Sequence, residues 1–152
     1  MYQNSRYISD RDEKQLITIK LDNSVTSKNY PLVEPITIDR LSDIYLDSFI
    51  SNNITQSDPN HNIIILGVKE FNIKSVSSEP QYNNKIIIPN TNSGPASNNT
   101  TIAHRATKFN FVANINPIKL KSLEISLTDD SSALAAWGSG EFWVTFMVVP
   151  RK

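Results

Sequence analysis

Three aspartates recur at four-residue intervals in the stretch DRLSDIYLDSF: Asp39, Asp43 and Asp47. In a helix they would stack on one face about 6 Å apart, close enough to share a metal ion or a proton. In a strand the even spacing still keeps them on one face, but neighbours then lie about 13 Å apart along the chain. No two of them would share an ion. The element therefore decides the chemistry. As a helix, Leu41, Ile44, Tyr45, Ser48 and Phe49 make an apolar stripe. As a strand, Ile44, Leu46 and Ile50 face one way, and Leu41, Tyr45 and Phe49 share the other face with the aspartates. Periodicity alone does not separate the two. The β-branched lead-in Ile36-Thr37-Ile38 and the β-like sequence downstream favour the strand. Asp39, Asp43 and Asp47 then point to solvent or to a neighbouring subunit, while Ile44 and Leu46 pack inside.

No other constellation supports catalysis. His61 and His104 each sit in a turn-rich gap, with no H-x-H, HExxH or His–carboxylate cluster around them, and both read as loop residues. The chain has no cysteine, so it offers no disulfide, thiol nucleophile or thiolate ligand. There is no G-x-S-x-G, and the Gly-Ser-Gly at 138–140 reads as a turn. Asp129-Asp130 before two serines reads as an Asx-type turn. These observations predict a non-enzyme with no cofactor and no metal. The candidate contacts are of another kind. Arg6 and Arg11 lie in a polar N-terminal segment that reads either as a frayed terminus or as an arm that becomes ordered against neighbouring subunits. Trp137 and Trp143 flank the last apolar run, where a tryptophan serves either as packing or as an interface anchor.

Length and composition bound what positions these residues. At 152 residues the chain suits one domain with a real core. Fifteen basic residues balance fifteen acidic ones, which argues against a duplex-binding protein and for no specific nucleic acid. The polar start MYQNSRYISDRDEK has no secretory leader character, and FWVTFMVV at 142–149 is too short to span a bilayer. A soluble intracellular product is expected.

Apolar runs of strand length alternate with turns. They are LITIKL (16–21), NIIILGV (62–68, with Gly67 a candidate bulge), FNIKSV (71–76), KIIIP (85–89), KFNFVA (108–113), IKLKSLEISLT (118–128) and EFWVTFMVV (141–149), besides 39–49. Within 118–128, Ile118, Leu120 and Ser122 oppose Lys119, Lys121 and Leu123, with Ile125 and Leu127 following Leu123. Segment 89–106 reads as one long surface loop, a place for partner contacts. About eight strands without helical crossovers predict an all-β fold, an antiparallel sandwich or barrel.

Three stretches carry a family resemblance. NSRYISDRDE resembles the "NSRDR" opening of virion proteins of large DNA viruses, with Tyr7-Ile8-Ser9 inserted. LVEPITIDRLSDIYLDSFIS resembles their early strand pattern "I-x-L-x-S". FNFVANINPIKLKSLEISLTDDSSALAAWGSGEFWVTFMVVPRK resembles their C-terminal "L-x-x-L-x-I-x-L-T-D", loop and final apolar strand, with Ser131-Ser132 where the family has Gly. The chain thus resembles the single jelly-roll capsid proteins of nucleocytoplasmic large DNA viruses, which include the penton and minor capsid proteins. The resemblance implies an eight-stranded antiparallel β-sandwich, a single jelly roll over 15–152 behind an extended N-terminal arm, 1–14. It implies a structural protein of the virion, made and assembled in the host cytoplasm. As the penton it would form a homopentamer at the vertices and touch major and minor capsid proteins. Subunit contacts are expected at Arg6, Arg11, Asp43, Asp47, His104, Arg105 and Trp137. The alternatives are a minor capsid or cement protein elsewhere in the shell, or a lectin-like or receptor-binding sandwich whose 89–104 loop holds a glycan.

Overall fold

A computed structural model describes residues 14–22, 24–54, 63–89, 100–105, 110–129 and 141–151; at 52–54, 100–105 and 129 it describes backbone only. Nine strands run in chain order through these residues: β1 (Gln15–Leu21), β2 (Ser27–Ile38), β3 (Ser42–Ile54), β4 (Ile63–Val68), β5 (Ile86–Pro89), β6 (Thr100–Arg105), β7 (Phe111–Ile115), β8 (Ile118–Asp129) and β9 (Glu141–Pro150). The helical content described is one turn of 3₁₀ helix, Pro80–Tyr82.

The strands form two sheets in which every pairing is antiparallel. One sheet runs β1-β9-β3-β6, with β7 also on β3; the other runs β2-β8-β4-β5. β6 pairs with Ser48–Ile54 and β7 with Ser42–Tyr45, so the two share one edge position. Counting them together leaves eight positions, and successive strands of the chain alternate between the sheets over most of its length. This order is consistent with the two interleaved Greek keys of a jelly roll.

The inner faces supply the core. Ile17, Ile44, Phe49, Phe142 and Phe146 come from one sheet, and Leu66, Ile88, Leu123, Ile125 and Leu127 from the other. The sheets are also stitched at one end. After β4 the chain turns so that Phe71 and Ile73 point inward, and Phe71 meets Phe146 edge-on at 5.0 Å. Asn72 between them bridges to Asn114 of β7, through the backbone at 2.7 Å and the side-chain amides at 2.9 Å. The alternation expected over 71–76 is thus real at its start. It does not make a strand, because only Asn72 finds a ladder partner.

One strand lies outside the expected runs, and two further expectations are corrected. Segment 27–38 is a full strand despite Pro31 and Pro35. It is an edge strand, where a missing N–H costs no ladder bond. Its register jumps from Pro31 opposite Ser122 to Ile36 opposite Leu120, and Val33 between them is fully exposed. Segment 89–106 is not one loop, since β5 ends at Pro89 and residues 100–105 form β6. Gly67 is not a bulge, since β4 pairs one-to-one with β8 through it. A Cβ there would lie 2.6 Å from Lys85 Nζ and 2.5 Å from Ser126 Oγ, so the glycine makes room for the lysine chain to cross the sheet.

Candidate functional site: the outer face of the five-stranded sheet

The described candidate residues belong to one sheet, β1-β9-β3-β6/β7, with Asp43 and Asp47 on its solvent side and His104 and Arg105 placed by backbone on β6. β3 positions them. Residues 42–54 form a strand, so the stretch 39–49 is β from Ser42 onward and not helix. Ile44 and Leu46 are buried as expected. The aspartates do not gather. Asp39 precedes the strand, and Asp43 and Asp47 are separate positions along it.

One part of the expected pattern fails, for a local reason. Leu46 pairs with Phe146 on β9, but the next paired residue is Ser48, opposite Thr145. Asp47 is therefore the extra residue of a β-bulge, and the inside–outside alternation reverses across it. Phe49, expected outside with the aspartates, is completely buried, and Ile50, expected inside, is 41% exposed. The other neighbour is irregular at the same level. Ser48 faces Arg105, but Tyr45, three residues back, faces Phe111, six residues on.

Asp43 has a partner within the chain. Its Oδ1 accepts from Arg151 Nε at 2.7 Å, while the Arg151 backbone N–H donates to the Leu41 carbonyl at 3.0 Å. This pairing fastens the end of β9 to the start of β3. His104 and Arg105 lie on β6, opposite Phe49 and Ser48, so His104 is a strand residue and not a loop residue. The register brings Asp47, His104 and Arg105 to one level of the sheet. Arg6, Arg11, His61 and Trp137 lie outside the described residues.

The sequence reading missed the apolar character of this face. Leu16, Met147, Tyr45 and Phe111 follow one another across β1, β9, β3 and β7. Leu16 is 62% exposed and Phe111 51%, and the Tyr45 and Phe111 rings meet edge-on at 6.0 Å. Two residues further along, Thr18 and Thr145 join their hydroxyls at 3.0 Å. Beyond them lie Lys20, Trp143 and Ile50. The Lys20 ammonium sits 5.8 Å from the Trp143 ring and 3.8 Å from the Glu141 carboxylate. Such a face offers apolar rows separated by a hydroxyl row, with charge at its margin. It suits a protein neighbour better than a small polar substrate. Cross-strand neighbours were unreadable because the pairing joins residues more than a hundred positions apart.

The opposite sheet carries one perturbed carboxyl. Glu70, just past β4, accepts the Glu124 backbone N–H with Oε1 at 2.5 Å, taking the place of a ladder carbonyl. Burial pushes its carboxyl above the ordinary glutamate value. The Glu124 carboxylate acts in the same direction, while the Glu124 N–H and Lys69 pull against it. A raised folded-state value means the folded chain holds more protons, so stability falls as pH rises from the ordinary value through the raised one. Glu70→Gln keeps a carbonyl acceptor and is expected to flatten that fall. Urea unfolding at stepped pH checks it: variant and parent should match in acid and diverge above, with the variant the more stable.

Among the described residues, no three of His, Asp and Glu gather closely enough to hold a metal ion. No described helix is long and apolar enough to cross a membrane.

No family model matches the chain, and neither does any curated protein. Thirteen chains of solved structures match. One, from a structure described as "KBV activated particle at acidic pH", is 9% identical over 94% of this chain and 72% of that one, with a TM-score of 0.27. So loose a superposition establishes neither strand order nor function.

Proposed function

We propose that this chain is a structural capsid protein, a single jelly-roll building block of a large DNA virus shell, and specifically the penton at the five-fold vertices. The observation that carries the reading is the strand order, β1-β9-β3-β6/β7 over β2-β8-β4-β5, with every pairing antiparallel. The warrant is an analogy of fold joined to the local sequence resemblances; fold alone does not fix function. The apolar outer face adds a surface suited to neighbours. In this reading residues 1–14 are the arm and 15–152 the jelly roll. Arg6, Arg11, His104, Arg105 and Trp137 join Asp43 and Asp47 as subunit contacts. The major and minor capsid proteins are the neighbours, and the chain is assembled in the host cytoplasm and resides in the virion. Five copies would meet by heterologous contacts that close into a ring.

Sedimentation of the purified chain tests this directly, with a pentamer expected. A particle reconstruction with the chain at the vertices would support the same reading. Density elsewhere in the shell would replace it with a minor capsid or cement role. A stable monomer that binds glycans through the 89–104 region would overturn it in favour of a receptor-binding module.

A further inference from the structure

The sandwich has four strand edges, and three carry features that discourage pairing. β2 has Pro31, Pro35 and a register jump. β5 has four residues and ends in Pro89. The β6/β7 edge changes register between its two pieces. β1 has none of these. Its seven residues pair with β9 one-to-one, without shift, proline or glycine. Among the described residues no strand pairs with its other side. Natural sheets guard such edges unless the edge is meant to be used, because a regular strand with free N–H and C=O groups is a template for another.

We propose that β1 pairs antiparallel with β1 of a second copy of this chain, about a two-fold axis at Thr18. That register is the one that pairs all seven residues, Gln15 through Leu21. It sets Ile17 opposite Ile19, so the buried row of each copy continues into the buried row of the other. It sets Leu16 opposite Lys20, so the only charge on the strand never meets its own copy. A register one residue off would set inward side chains against outward ones. A register centred on Lys20 would oppose two ammonium groups. This contact goes beyond the vertex reading. It is isologous, whereas ring closure is heterologous, so it doubles whatever the chain otherwise forms.

The absence of native cysteine makes the test clean. Thr18→Cys should form a covalent dimer under mild oxidation, because residue 18 meets itself. Lys20→Cys, on the same exposed row but paired with Leu16, should not. Thr18→Lys should abolish the doubled species in sedimentation while leaving the circular dichroism spectrum unchanged. Equal cross-linking at positions 18 and 20, or a wild-type chain that never doubles, overturns the proposal. A pentamer without doubling refutes this pairing and leaves the vertex reading intact. A dimer without a pentamer does the reverse.

Discussion

Deleting Tyr45 is expected to abolish cooperative folding, while deleting Asp47 shifts stability by only about 1–2 kcal/mol. Each change shortens β3 by one residue, but only Asp47 is the extra residue of the bulge. Ser42, Ile44 and Leu46 point inward before the bulge, and Phe49 and Ser51 point inward after it. Without Asp47 the strand keeps one parity throughout, and all of these residues stay inward. Without Tyr45 the one-to-one register with β9 puts Leu46 on the outer row opposite Met147 and turns Asp47 into the core opposite Phe146. Losing a buried Leu costs roughly 2–5 kcal/mol, and burying an unpaired carboxylate adds more. A domain of this size typically has about 5–15 kcal/mol in all. Urea unfolding followed by circular dichroism separates the outcomes. Equal losses from the two deletions would refute the bulge account.

Phe146→Ala is expected to lower stability by about 3–5 kcal/mol. Phe146 has no exposed surface, pairs with Ile17 on one side and Leu46 on the other, and meets Phe71 edge-on. Phe71 enters from the chain that leaves the opposite sheet, so the ring joins both layers. Truncation removes that contact and leaves a cavity the stiff strands collapse around only in part. The control lies one residue away. Met147 is on the outer row, and Met147→Ala should cost about 1 kcal/mol or less. Chemical denaturation should show a lower midpoint at unchanged m-value for Phe146→Ala. Equal losses at 146 and 147 would mean that the sheet faces are assigned wrongly.

The sequence made the sheets legible where one chemistry dominated. LITIKL, NIIILGV and EFWVTFMVV became strands because β-branched and aromatic residues leave little choice. It hid β2 behind two prolines, which forbid a central strand but not an edge. It hid β6 as well, since TTIAHR lacks an apolar run and owes its place to β3. It overextended FNIKSV, whose apolar alternation points into the core without a strand to pair with. The candidate face was only half readable. Asp43 and Asp47 were visible as outward residues, but their separation and the reversal at Asp47 depend on register. The row Leu16–Met147–Tyr45–Phe111 exists only once distant strands lie side by side.

That distance also bears on how the chain comes to be folded. β9 lies between β1 and β3, in the interior of its sheet. Thr18 and Thr145 touch although 127 residues separate them. On a ribosome, β1 and β3 emerge early with no strand between them, and each waits for the last ten-residue strand. Closure then draws together strands far apart in sequence that no local turn connects, the arrangement that makes folding slow. Until it happens, Ile17, Ile19, Ile44 and Phe49 are uncovered, and the nascent chain is at its most prone to associate wrongly. Docking of β9 should therefore be the step that ends this exposure and commits both sheets to the native pairing.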